Sequence, residues 1–267
     1  MICFTILAHE NERVLTEQIK NIRHYLPNAK IVLYNGGTNR DFGSCQGIPI
    51  CPYSRPLQYG KLGRFLYDVM YWLEETNMEY DYLVNLDSDV LFIKHGFESL
   101  IEEVMEGYDC MGAHMQIQRS AHDNPHFYPG VTLWNEWHLW QPFFQTNYFV
   151  RYFNPSQVYR RSIVRKIVDE TDFNQLEQLL AATNTFAMEE MLYATLAMKY
   201  GGKCREYPWD YEESLQYVRT VKPISYDEMK AAKLESHYYW VHPVKGETFT
   251  FMSMLSKQLD HKQKSGQ

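Results

Sequence analysis

Short apolar runs alternate with longer amphipathic stretches along the first 114 residues. Ile2 to Ala8 is an apolar run that ends at His9-Glu10-Asn11. Leu15, Ile19, Ile22 and Leu26 follow at helical spacing, and Pro27-Asn28 stop the pattern. Ala29 to Tyr34 is again strand-like and closes on the turn signal Asn35-Gly36-Gly37. Together these make a βαβ unit, whose two strands should be parallel neighbours. After a Gly- and Pro-rich stretch over 38–60, Leu62, Phe65, Leu66, Val69, Met70 and Leu73 mark one apolar helix face. A run from Tyr80 to Ile93 follows, then a helix marked by Phe97, Leu100, Ile101, Val104 and Met105, then a strand over 108–114. The order predicts an α/β fold: a mostly parallel, Rossmann-like sheet flanked by helices.

The pattern fades over 115–155, where strands or a short helix are both open. This stretch holds Trp134, Trp137 and Trp140 and reads LWNEWHLWQPFFQTNYF at its centre. It is either an aromatic subdomain core or a cleft whose flat rings face an acceptor sugar. Helical patterns return over 157–170, over 174–182 with Asn174 as cap and Glu177 three residues later, and from Thr185 to Gly201-Gly202. Residues 204–208 and 238–241 are strand-like, Ser225 with Glu228 forms a capping-box pattern, and 257–267 reads as a frayed polar tail. The expected organisation is one domain over 1–256, with a nucleotide-binding half (1–114) and an acceptor-binding half (115–256).

Composition narrows the functional classes. The 267 residues are 45% hydrophobic, enough for a sizeable core, and 15% aromatic, which suits either a tyrosine-rich core or a sugar-binding cleft. The net charge of −7 and the lack of a basic run argue against a nucleic-acid partner. The five cysteines are odd in number, lack metal-type spacing and read as free thiols of a reducing compartment. No stretch has the ~20 apolar residues of a transmembrane segment. The expectation is a cytoplasmic protein, with peripheral membrane association left open.

Chemistry concentrates at element ends. In YDYLVNLDSDVLFI a buried-type strand runs into Asp87 and Asp89, where open α/β sheets bind ligands. Two acids there suit Mn²⁺ or Mg²⁺ and, through it, a diphosphate. Asp89 is the better candidate for a direct ligand; Asp87 suits metal, a water or a ribose hydroxyl. Alone, Asp-x-Asp is equally a solvated strand end. Glu189-Glu190 at a helix start is explained by the helix dipole or, functionally, by a general base. His242 and Lys245 after the last strand could add a metal ligand and a phosphate contact. His9, Glu10 and Asn35 at strand ends, and Lys61 and Arg64 at a helix start, are candidates for the nucleotide.

The opening ILAHENE, the helix KLGRFLYDVMYWLEE, YDYLVNLDSDV and the terminal HPVKG resemble the GT-A glycosyltransferases. EEMLYATLAMKYG is similar to the base-bearing helix of the core-2/I-branching N-acetylglucosaminyltransferases, whose catalytic base aligns with Glu190. The likeness covers residues 1–110 and 185–246. It implies a hexosyl- or N-acetylhexosaminyltransferase that moves sugar from a nucleotide sugar, UDP-sugar first, to a glycan or other hydroxyl acceptor with inversion. Core-2 enzymes lack a metal-binding Asp-x-Asp and are disulfide-bonded, so the two acids and the free thiols depart from that family. The competing readings are a sugar nucleotidyltransferase and a catalytically silent glycan-binding protein. The glycine-free HENERV after the first strand speaks against the former.

Overall fold

In the computed structural model, β1 (Ile2–Ala8) is buried at every position, as a strand covered on both faces must be. The structure describes residues 1–265, with side chains through Asp260. Asn11 caps α1 (Glu12–Tyr25), its Oδ1 accepting from the Val14 amide at 3.2 Å. That helix returns the chain to β2 (Lys30–Asn35), parallel to β1. α2 (Phe65–Glu75) leads to β3 (Tyr82–Asp87), which pairs in parallel with the other edge of β1. β4 (Leu91–Phe92) leaves the main sheet, and α3 (Phe97–Val104) leads to β5 (Cys110–Gly112).

The aromatic stretch resolves into β6 (Gln116–Gln118), α4 (Tyr128–Asn135), α5 (Trp137–Phe144) and β7 (Phe149–Arg151), with β6 and β7 antiparallel. β8 (Val158–Arg160) then enters the main sheet between β3 and β5, antiparallel to both. α6 (Arg161–Glu170), α7 (Phe173–Ala182), a 3-10 turn (Met188–Glu190) and α8 (Leu192–Lys199) precede β9 (Cys204–Glu206), parallel to β5. The one-turn α9 (Tyr211–Ser214), α10 (Tyr226–Leu234), β10 (Trp240–Val241) and α11 (Gly246–Ser265) finish the described chain. The sheet order is β2-β1-β3-β8-β5-β9, mostly parallel, with β8 the antiparallel member.

Each face of the sheet carries a core. One gathers α1, α3, α10 and α11 around Phe4, Phe92 and Trp240. The other gathers α2 and α5 to α8 around Phe65, Trp140 and Tyr193. The last elements fold back onto the first: β10 pairs with β4, and the Tyr25 hydroxyl on α1 lies 2.7 Å from Ser256 Oγ on α11.

Four expectations change. Val158 and Tyr159 are strand, not helix, because branched and aromatic residues fit the gap between two sheet strands; the helix starts at Arg161. The cap of α7 is Asp172, whose Oδ1 accepts from the Gln175 amide at 3.0 Å, not Asn174. The helix expected from Thr185 begins only at Leu192, because Ala187 adopts a left-handed φ of 51° and the 3-10 turn intervenes. The polar tail is helical as far as Ser265: Leu259 packs on the core and Asp260 pairs with Lys233 at 2.6 Å. Gly266 and Gln267 lie outside the described residues.

Candidate active site

The carboxyl ends of β1 and β3 and the returning C-terminal segment meet around Asp87. β3 delivers Asp87, and a turn closed by the Val90 amide on the Asp87 carbonyl (3.2 Å) sets Asp89 beside it. Gln18 of α1 steadies that turn, donating to the Asp87 carbonyl at 2.7 Å. The Asp89 carbonyl in turn accepts from the Val244 amide at 2.9 Å, which ties in His242 and Lys245.

Ligand atoms of Asp87, Asp89 and His242 all lie within 4.8 Å of one another. His242 Nε2 is 3.1 Å from Asp89 Oδ1 and 4.0 Å from Asp87 Oδ2. Its Nδ1 is 2.8 Å from the Arg219 carbonyl oxygen. A carbonyl only accepts, so Nδ1 carries the proton and Nε2 is turned to the acids, the outer-shell pattern of a ligating histidine. Asp87 Oδ1 accepts from Asn154 Nδ2 at 2.9 Å, and Lys245 bonds Asp89. Burial and the Asp89 charge push Asp87 above the usual carboxylate range. Burial would raise Asp89 too, but His242 and Lys245 hold it below that range. Two carboxylates and one imidazole make an oxygen-dominated donor set that fits Mg²⁺ or Mn²⁺.

A cleft of two lobes opens over these acids. Tyr59, Leu62, Asp87, Asp89 and Lys245 line both. One lobe, about 340 Å³, extends over Leu7, His9, Gly36 and Leu57 at the ends of β1 and β2. The other, about 260 Å³, extends over Asn154, Phe186, Glu189, Glu190 and Thr220. Gly60 shapes its wall: its φ is 72°, and a Cβ there would stand 2.1 Å from the Phe186 ring.

The two glutamates differ. Glu189 is buried, and its Oε2 has no hydrogen-bond partner among the described residues. Burial, then the charges of Glu190 and Asp87, push it up to about 8. Glu190 is partly open to the cleft. Burial pushes it up to about 7 against the pull of Arg151, with Asp87 adding to the rise. Such a carboxyl is poised near neutrality, where a general base works best. Arg151 itself is buried, its guanidinium 4.0 Å over the Phe127 ring.

Of the other candidates, His9 lines the larger lobe, while Glu10 is 3.9 Å away from His9 Nε2 and outside the lining. Asn35 does not face the cleft with free polar atoms. Its Oδ1 accepts from the Gly37 amide (3.0 Å) and its Nδ2 donates to the Asn39 carbonyl (2.7 Å), so it builds the turn that brings Gly36 to the lobe. Lys61 donates to the Thr183 carbonyl at 3.3 Å. Arg64 is turned away from the cleft: its Nε is 2.8 Å from Asp68 Oδ1, it pairs with Glu177, and it lies over Phe173. Trp140 is fully buried, donating to Thr183 Oγ1 at 3.2 Å, so its face has no room for a ligand. Trp134 and Trp137 pack on each other at 4.6 Å and on Phe149, and neither lines a lobe. The aromatic stretch is therefore chiefly a subdomain core. Asn154, Arg151, Tyr59 and Phe186 are cleft or cleft-supporting residues with no signal in the sequence, because each lies in a segment without a motif.

No protein-family model and no curated protein matches the sequence. Solved structures do. Two structures of the galactosyltransferase LgtC, one in complex with donor and acceptor sugar analogues and one an active-site mutant, align with a TM-score of 0.51. They are 11% and 12% identical, and each alignment covers 97% of this chain and 95% of the other. The fold is GT-A-like. At this identity the likeness is one of fold. Within a GT-A-like frame the Asp87 turn stands at the carboxyl end of the central β3, beside the place where the parallel strands β1 and β2 end.

Proposed function

We propose that the chain is a glycosyltransferase that moves a sugar from a nucleoside-diphosphate sugar to an acceptor hydroxyl. The observation that carries this is the meeting of Asp87, Asp89, His242, Lys245 and Glu190 in one cleft, from three separated parts of the chain. The larger lobe takes the nucleoside, against Leu7, His9, Leu57 and the Gly36 turn. UDP-sugars are the first class to test. The smaller lobe takes the transferred sugar and the acceptor.

Asp87, Asp89 and the Nε2 of His242 would hold Mn²⁺ or Mg²⁺. When bound, the cation neutralises charge on the departing diphosphate. Lys245 turns from Asp89 toward that diphosphate. Asn154 keeps Asp87 oriented, and the Arg219 carbonyl keeps the His242 lone pair toward the acids. Glu190, ionised above about pH 7, accepts the proton of the acceptor hydroxyl. The hydroxyl oxygen bonds to the anomeric carbon as that carbon's bond to the phosphate oxygen breaks. The electron pair leaves on the nucleoside diphosphate. Direct displacement inverts the anomeric centre. The acidic pair at Glu189-Glu190 also supports the narrower likeness to the core-2/I-branching enzymes, with the Asp-x-Asp as the departure.

A thermal-shift panel of UDP-, GDP-, CMP- and dTDP-sugars with and without Mn²⁺ tests the reading. The expected result is stabilisation by one nucleotide sugar only with metal, lost in Asp89→Ala. Equal stabilisation without metal removes the acids from the role. No stabilisation by any donor would falsify the transferase reading.

A further inference from the structure

A second cluster lies away from the cleft. His24 ends α1, His95 follows β4, and Asp260 sits on α11; their ligand atoms all lie within 4.8 Å of one another. We propose that these three residues form a metal site for a borderline cation of the Zn²⁺ class. Imidazole-rich donor sets select Zn²⁺, Co²⁺ or Ni²⁺ over Mg²⁺ and Mn²⁺.

The geometry leaves the right atoms unsatisfied. His24 Nε2 and Asp260 Oδ2 face each other at 3.7 Å. Both atoms are buried, and neither has a hydrogen-bond partner among the described residues. The separation is too long for a hydrogen bond. It is close to the span of two ligands of one ion, since two bonds of about 2.1 Å span about 3.4 Å at a tetrahedral angle and about 3.7 Å at an angle of about 125°. His95 Nδ1 is 3.2 Å from the Tyr25 carbonyl oxygen. It donates there, which fixes the tautomer and leaves Nε2 with a lone pair.

The supports are rigid. The rings of His24, Tyr25 and His95 pack against one another at 4.7 to 5.3 Å. The buried Lys233 ammonium holds Asp260 Oδ1 at 2.6 Å and donates to the Ile93 carbonyl, which leaves Oδ2 for the ion. Burial, then the charges of Lys257 and His95, hold His24 below its ordinary value. The same lysines oppose a cation and set the limit on affinity. His95 is exposed, which provides the entry path and a position for a fourth, water ligand.

The test uses the untagged full chain carrying Asp89→Ala and His242→Ala, which remove the cleft donors. Titration with Co²⁺ is expected to show one ion per chain, with visible d–d bands of a nitrogen- and oxygen-ligated low-coordinate site, displaced by Zn²⁺. Adding His95→Gln should weaken uptake at least about 10-fold, the size of effect seen even for outer-shell partners. Adding His24→Ala should abolish the bands. His95 is at the surface, so its variant decides the outcome even where His24→Ala fails to fold. Absence of Co²⁺ uptake at millimolar concentration overturns the proposal. So does uptake that His95→Gln leaves unchanged.

Discussion

The two His–carboxylate clusters share neighbours but not surroundings. α1 and the segment from Asp87 to His95 run alongside each other, and Asn21 bonds both the amide and the carbonyl of Phe92 at 2.9 Å. Asp87 and Asp89 lie beside Gln18, midway along α1, and His24 and His95 lie near its end, about 9 Å of helix further on. At the cleft end, two acids and one imidazole open onto lobes of about 340 and 260 Å³. At the far end, two imidazoles and one acid meet at a seam between elements, with His95 at the surface and all three outside both lobes. The difference teaches that donor chemistry and space must be read together. Oxygen donors beside a cleft suit an ion that shares its ligands with a substrate; imidazoles at a seam between elements suit an ion that pins them.

The largest effect should come from Glu190→Gln. Transfer activity should fall about 10²–10⁴-fold, the usual worth of a general base, while donor-induced thermal shifts persist. Full activity in a radiolabel transfer assay would take the base role from Glu190. Next, Asp89→Ala should lower transfer about 10²–10³-fold, as loss of an electrostatic stabiliser does. His95→Gln should leave transfer within about twofold, since His95 stands at the surface outside the cleft; a loss comparable to that of Asp89→Ala would merge the two clusters into one function.

The pH profile sharpens the cleft side. Glu190 must be ionised to act and is pushed up to about 7, so kcat should climb with pH below that value and level off above it. A flat profile from pH 6 to 8 would contradict the assignment. A further effect is on stability. Glu189 is pushed up to about 8, so folding takes up a proton between the unfolded carboxyl value near 4.5 and 8. Its contribution is fullest below that window and is lost as pH rises through it. Glu189→Gln should therefore stabilise the chain relative to the parent by about 1–2 kcal/mol at pH 8.5, and less at pH 5. Thermal unfolding at the two pH values measures this.

Local pattern made much of the fold legible. The apolar runs over 2–8, 29–34 and 80–93 and the apolar face of Phe65 to Leu73 are local signals; the first two appear as β1 and β2, the third holds β3 and β4, and the face is that of α2. β8 was hidden because three residues, Val158 to Arg160, are too few to outweigh the helix that follows them. Asp87, Asp89, His242 and Lys245 stood out as element-end chemistry, and the structure brings them together. Arg64 and Asn35 share that signature but satisfy ion-pair and turn bonds instead. Polar residues at element ends serve both purposes, and only tertiary partners separate them. The tryptophans misled for a related reason: composition counts rings, whereas binding needs an open face. His24, His95 and Asp260 left no trace in sequence, being separated by 71 and 165 positions with no motif between.

The return of the C-terminal segment bears on biosynthesis. A nascent chain that has emerged only as far as α10 already holds Asp87, Asp89, His24 and His95. It lacks His242, Lys245 and Asp260, which come from β10 and beyond. Both clusters are therefore completed by the same late step, the docking of the last segment onto α1 and β4. Until the ribosome has delivered that segment the paired acids carry no countercharge from it, and neither cluster has all its members.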